Sequence, residues 1–244
     1  MGDAGELRLL RPADVASAFE LSAQAGWNQT EDDWRMLLEL APESCWGIDT
    51  NGVLAATTTL VCYGQRLSWI GMVLTRQEFQ RRGLAKRLFE KALRHAGQIG
   101  IETVKLDATE QGRPLYERFG FQSERTIERW LRVGATSMKI PTSARAMEIW
   151  REVDRERFGA DRSELLGKLA ARSVPFTESE SYLFVRAGRL NAYVGPCLSD
   201  NSEVARKLIV ECVTKTKCGW VWDLFPENGE AVKIARELGF TLQR

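Results

Sequence analysis

The stretch EFQRRGLAKRLFEKAL, residues 78–93, runs from a basic loop of small residues straight into a strongly amphipathic helix. Leu84, Leu88 and Ala92 form one apolar stripe, with Ala85, Phe89 and Leu93 beside it. Glu90 and Arg94 make an exposed i,i+4 pair. The first N–H groups of a helix have no internal acceptor, and the macrodipole adds about half a positive charge there, so an open helix start is an anion site. Gly83 and Ala85 remove side-chain bulk from that start, and Arg81 and Arg82 are within reach of phosphate oxygens. A pyrophosphate suits such a loop. Read alone, the hexapeptide Gln80–Ala85 is equally a basic helix cap with solvated arginines, so its surroundings decide.

Upstream, ELRLL (residues 6–10) reads as a strand. Arg11-Pro12-Ala13-Asp14 opens a helix to about Ala25, with proline near the first turn where its missing N–H costs nothing. AGWNQ (residues 25–29) is a loop, and Thr30 with Asp33 makes a capping-box pattern ahead of Trp34, Leu37 and Leu38. From Cys45 to Leu74 the period shortens to that of strands, broken at Asn51-Gly52 and Gly64-Gln65, which are hairpin signals. Three antiparallel strands follow from this. Downstream of the helix come a strand Glu102–Asp107, a short helix Pro114–Phe119, and strands between Phe121 and Val133. Residues 134–143, GATSMKIPTS, break the pattern. The expected organisation is a first domain 1–136, a linker 137–146 and a second domain 147–244.

The second half repeats the first. Shifted by 120, Ala85–Phe89 overlies Ala205–Ile209; shifted by 119, Leu115–Phe121 overlies Ile234–Phe240. The expected fold class is therefore α+β: two similar domains, each a mostly antiparallel mixed sheet flanked by helices.

Bulk properties exclude several function classes. Lys plus Arg (34) nearly cancel Asp plus Glu (33) in the 244 residues, so no global field attracts nucleic acid or an anionic membrane. The opening MGDAGELRLLRPAD lacks an apolar signal core, and no segment approaches the ~20 apolar residues of a membrane span. Cys45, Cys62, Cys197, Cys212 and Cys218 are odd in number and lack a CxxC, which fits reduced thiols and a cytoplasmic protein. No metal site is expected, and the lone His95 reads as solvent-facing.

The pattern Gln80-x-x-Gly83-x-Ala85 after Gly71-Met72-Val73-Leu74-Thr75, followed by a strand and LYERFGF, resembles the GNAT superfamily of N-acetyltransferases. AGWNQTEDDW, WIGMV and LDATEQGRPLYERFGF extend the resemblance over residues 6 to about 133. It implies acetyl-CoA as cosubstrate, its pyrophosphate held by Gln80, Arg81, Arg82, Gly83, Leu84 and Ala85. It implies that Val73, Leu74 and Thr75 supply backbone bonds to pantetheine and an amide that polarises the thioester carbonyl. Tyr116 falls on the family's general acid toward the departing thiolate. Thr109 stands where the family often has asparagine and is counted with the residues that bind acetyl-CoA, and Ala85 stands where glycine is commoner. In the second half Glu203 replaces Gly83 and Ala235 replaces Tyr116, the pattern of a degenerate partner in a tandem member.

The implied reaction is acetyl transfer to a primary amine of a small molecule by direct attack in a ternary complex. Asp107 is the first choice of base, with Glu78, Glu110 or a water chain as alternatives. Trp27, Asn28 and Trp130 are candidates for the acceptor site, although Trp27 is equally a staple for the second helix. The chain is expected to act as a monomer or homodimer. Non-catalytic acyl-CoA sensing and acetylation of a protein lysine or N-terminus are the rival functions.

Overall fold

The computed structural model describes residues 5–134, 150–178, 180–215 and 217–244; the expected linker 137–146 lies outside the described residues. The chain divides into two compact units, 1–122 and 123–244.

The first unit contains β1 (Glu6–Leu9), a 3-10 turn (Pro12–Asp14), α1 (Val15–Gln24), α2 (Glu31–Leu40), β2 (Cys45–Thr50), β3 (Val53–Tyr63), β4 (Leu67–Thr75), a second 3-10 turn (Gln77–Phe79), α3 (Leu84–Gln98), β5 (Thr103–Leu106) and α4 (Arg113–Glu117). The sheet order is β1-β2-β3-β4-β5. The first three pairings are antiparallel and β4–β5 is parallel. The Asn51-Gly52 signal holds, since φ is +53° and +75° there, as a tight hairpin whose twist matches the strands requires. The Thr30 and Asp33 capping box forms in full and starts α2.

Helices cover both faces of this sheet. On one side α1 and α2 bury Leu21 and Trp34 with Leu54 and Leu74, and the Trp34 indole N–H donates to Ser22 Oγ at 3.2 Å. On the other, α3 lays Leu84, Leu88, Phe89, Ala92 and Ala96 against Ile48, Ala56, Leu60 and Ile70. The stripes read from residues 84–93 are the buried face of α3. His95 is half-buried rather than solvent-facing, its ring edge-on to Trp46 at 5.3 Å.

The second unit contains β6 (Glu128–Arg132), α5 (Trp150–Phe158), α6 (Ser163–Ala171), β7 (Val174–Glu178), β8 (Ser181–Arg186), β9 (Ala192–Leu198), α7 (Ser202–Thr214), β10 (Trp220–Leu224), α8 (Gly229–Glu237) and β11 (Thr241–Leu242). Its sheet order is β11-β6-β10-β9-β8-β7. Two features depart from the sequence reading. First, residues 121–127 form no strand, and β6 belongs to this second sheet, between β10 and β11. The units accordingly divide between Gln122 and Ser123, ahead of the expected boundary at 136. The physical reason is the apolar strand β10, whose far edge β6 covers: Trp130 is 4% exposed within this core, and Arg129 clasps Asp223 through Nε at 2.7 Å and Nη2 at 2.6 Å. Second, β7 has no counterpart in the sequence reading, and it contains Pro175. It is an edge strand, paired only with β8, where a missing N–H is tolerated.

Among the described residues, no helix is long and apolar enough to cross a membrane, and no cluster of three or more His, Cys, Asp or Glu could hold a metal ion.

Candidate active site

Three local structures converge in the first unit: the end of β4, the start of α3, and α4. Strand β4 pairs with β5 from Leu67–Thr103 to Ile70–Leu106 and no further. Gly71–Thr75 continue along β3 alone, leaving their β5-facing edge without a strand partner. On the β3 side, Thr57 pairs with Leu74 and Thr59 with Gly71, so Met72 and Val73 together oppose Thr58. This is a β-bulge, with Met72 at φ +49°. Buried threonines pin it: Thr57 Oγ1 donates to the Met72 carbonyl at 2.8 Å and Thr58 Oγ1 to that of Gly71 at 3.4 Å. Met72 and Leu74 pack with the α1–α2 layer, Val73 with the α3 layer. The bulge re-aims the strand and opens the sheet between β4 and β5.

The chain then runs through the second 3-10 turn to α3. Gln80 Nε2 donates to the Thr75 carbonyl at 3.3 Å, tying the loop to the strand end. Arg81 has φ +61° and Gly83 φ +79°. A Cβ on Gly83 would meet nothing within 4 Å, so conformation, not space, selects glycine here. Gly83 is the N-cap of α3, and no side chain caps the helix. The opening amides of α3 are left without an internal acceptor on an exposed loop. Arg82 lies over the Phe79 ring at 5.2 Å and donates to the Glu78 carbonyl. Arg81 and Arg82 have no acidic partner among the described residues.

Tyr116 sits on the single turn of α4, 8% exposed, its ring 5.0 Å from Phe89 on α3 and 6.5 Å from Phe121. Burial pushes its phenol above the usual value. Its hydroxyl makes no hydrogen bond among the described residues. Thr109 Oγ1 accepts the Gly112 amide at 3.1 Å, so this side chain shapes the turn that carries Tyr116. Asp107, immediately beyond β5, is exposed, as are Glu78 and Glu110; burial singles none of them out as a base. Trp27 is half-buried against the α1–α2 core and Asn28 is 7% exposed. Trp130 departs from expectation. It lies inside the second unit's core, its indole N–H donating to Glu128 at 3.0 Å.

Residues 13–121 match the acetyltransferase (GNAT) family model and residues 150–244 a second acetyltransferase (GNAT) domain model. The chain belongs to the GNAT acetyltransferase family. The uncharacterised N-acetyltransferase YitH of Bacillus subtilis (strain 168) is 26% identical over 252 residues, covering 96% of this chain and 87% of that protein. A crystal structure of a candidate acetyltransferase from Pyrococcus horikoshii superposes with a TM-score of 0.85 at 18% identity, over 100% of this chain and 87% of that one. A GCN5-related N-acetyltransferase from Kribbella flavida gives 0.52 at 15% identity, over 98% and 69%.

The two GNAT units keep the same strand opening and differ at the helix start. In the second, β9 pairs with β10 only to Tyr193–Val221, and a register shift places Gly195 and Pro196 opposite Phe184, as Met72 and Val73 oppose Thr58. Here, however, α7 begins two residues earlier in the shared register, with Glu203 inside its first turn. Asn201 caps it by accepting the amides of Glu203 at 2.9 Å and Val204 at 3.3 Å. Asn228 repeats the role of Thr109, accepting the Ala231 amide at 3.1 Å, but Ala235, fully buried, replaces Tyr116. Sequence reasoning missed Thr57, Thr58, Phe89 and Gly112 as supports of the site. Their only signals were a threonine run in a strand and a glycine four residues before a tyrosine.

Proposed function

We propose that the first unit transfers an acetyl group from acetyl-CoA to a primary amine of a small molecule, by direct attack in a ternary complex. The observation that carries this is the uncapped start of α3, reached directly from the unpaired end of β4 in a GNAT unit. The groups present fit the cosubstrate: the amides opening α3, flanked by Arg81 and Arg82, suit a pyrophosphate, and the free edge of β4 suits the amides of pantetheine. Acetyl-CoA supplies the thioester.

Gln80 to Ala85 hold the diphosphate, and Val73, Leu74 and Thr75 orient the acyl arm, an amide among them polarising the carbonyl. Tyr116, whose raised pKa keeps its proton in place at neutral pH, donates to the departing sulfur. Asp107 receives the proton that the amine releases. Trp27 and Asn28, on the α1–α2 loop, contact the acceptor. The second unit is a degenerate copy that does not bind the cosubstrate, because Asn201 Oδ1 already accepts the opening amides of α7 and the Glu203 carboxylate in its first turn repels a diphosphate.

The test is thiol release from acetyl-CoA with a panel of small amines and a lysine-containing peptide. Release that depends on a small amine supports the reading. Release with the peptide alone would move the acceptor to protein, and binding of acetyl-CoA without release would favour an acyl-CoA sensor.

A further inference from the structure

The seat beneath Tyr116 carries an inference about how its hydroxyl is aimed. A Cβ built on Gly112 would stand 2.9 Å from Tyr116 Cε2, 3.2 Å from its hydroxyl oxygen and 3.3 Å from Cζ. Gly112 has ordinary helical angles, φ −81° and ψ −29°, so its backbone does not require glycine. The neighbouring ring does. On its other sides the phenol meets Phe89 and Phe121, which pack on each other at 5.4 Å, with Phe119 5.2 Å from Phe89. The ring therefore has little room to retreat. Gly112 is itself fixed, its amide shared between Thr109 Oγ1 at 3.1 Å and the Thr109 carbonyl at 3.0 Å, and its carbonyl accepting the amides of Leu115 at 3.0 Å and Tyr116 at 3.4 Å.

We propose that Gly112, held by Thr109, is a positioning residue: its bare Cα is the seat that sets where the Tyr116 hydroxyl points. This rests on the reading of Tyr116 as the proton donor to sulfur. A methyl group at 112 displaces the hydroxyl by a few tenths of an ångström or more, against a tolerance in which about 1 Å costs on the order of a hundredfold in rate. In this role Gly112 and Thr109 act through the tyrosine, the Thr109 hydroxyl being engaged with the Gly112 amide.

The experiment measures thiol release from acetyl-CoA with hydroxylamine, a small amine nucleophile neutral at pH 7, for the wild type, Gly112→Ala, Thr109→Val, Thr109→Ser, Tyr116→Phe and the Gly112→Ala/Tyr116→Phe pair. Desulfo-CoA titration of each variant reports whether the fold and the cosubstrate site persist. Gly112→Ala is expected to lower kcat roughly tenfold or more with KM for acetyl-CoA unchanged. Thr109→Val, which keeps the backbone bond from the Gly112 amide to the carbonyl of residue 109, follows in the same direction by a smaller factor, and Thr109→Ser restores the rate. The double variant is expected to be no slower than Tyr116→Phe. Wild-type kcat in both Gly112→Ala and Thr109→Val, or a double variant slower than Tyr116→Phe by the full Gly112→Ala factor, overturns the proposal. A Tyr116→Phe enzyme as fast as the wild type overturns instead the reading on which it rests.

Discussion

Asp14 accepts from Arg8 at 2.8 and 2.9 Å and from the Arg11 amide at 2.7 Å, while the same guanidinium reaches Asp49 at 2.6 and 3.1 Å. The Arg8 guanidinium, and then the Arg11 amide, hold the Asp14 carboxyl below its ordinary value. A carboxyl with a lower pKa folded than unfolded contributes stability above its unfolded value of about 4, and that contribution is lost as pH falls through the folded one. Asp14→Asn is thus expected to cost about 2 kcal/mol at pH 7 and progressively less on acidification. Urea melts at pH 7 and pH 3 check this, and an equal cost at both would contradict it. Tyr116 shifts the other way, so a rate limb set by its phenol lies above about pH 10. At this scale spacing was informative where a motif fixes it: Gly83 and Tyr116 were legible from their neighbours. Gly112 was not, since only a folded chain shows which ring lies over it.

Among the elements, the second unit ties α5, α6 and β8 together by a buried charge network. Asp154, 1% exposed, accepts from Arg162 at 2.9 and 2.7 Å and from the Tyr182 hydroxyl, and Arg162 stacks 4.1 Å over Phe158. Removing one partner of such a network strands the rest without solvent, so Asp154→Ala is expected to cost about 3–5 kcal/mol, and Tyr182→Phe about 1 kcal/mol. A denaturant midpoint for Asp154→Ala close to the wild type would contradict this. Periodicity found most helices and central strands, because an apolar face repeats at the pitch of its element. It passed over β7, a five-residue edge strand containing Pro175, because so short a segment shows too few repeats of an apolar face to stand out. It placed β6 without its sheet, because alternation in ERWLR reports a buried face and not whose face it is.

For the whole molecule, the strand that follows the first unit's chemistry completes the second unit's sheet. A fragment starting at residue 137 lacks β6, baring β10 and emptying the Trp130 site; loss of such a side chain alone costs about 3–5 kcal/mol. The fragment 123–244 is expected to unfold cooperatively, and 137–244 to lack a cooperative transition. Equal thermal unfolding of the two would contradict the placing of β6 in the second unit's sheet. The duplication was legible from the repeated segments at offsets of 119 and 120, and so was the loss of Gly83 and Tyr116 counterparts. The filled cap at Asn201 was not, because it depends on α7 starting half a turn early.

Calorimetric titration of acetyl-CoA into the wild type and Gly83→Glu decides whether the start of α3 is the cosubstrate site. One site per chain is expected in the wild type, lost in the variant, where a carboxylate meets the diphosphate and a side chain is forced to φ near +79°. Equal binding in both, or two sites in the wild type, would contradict it.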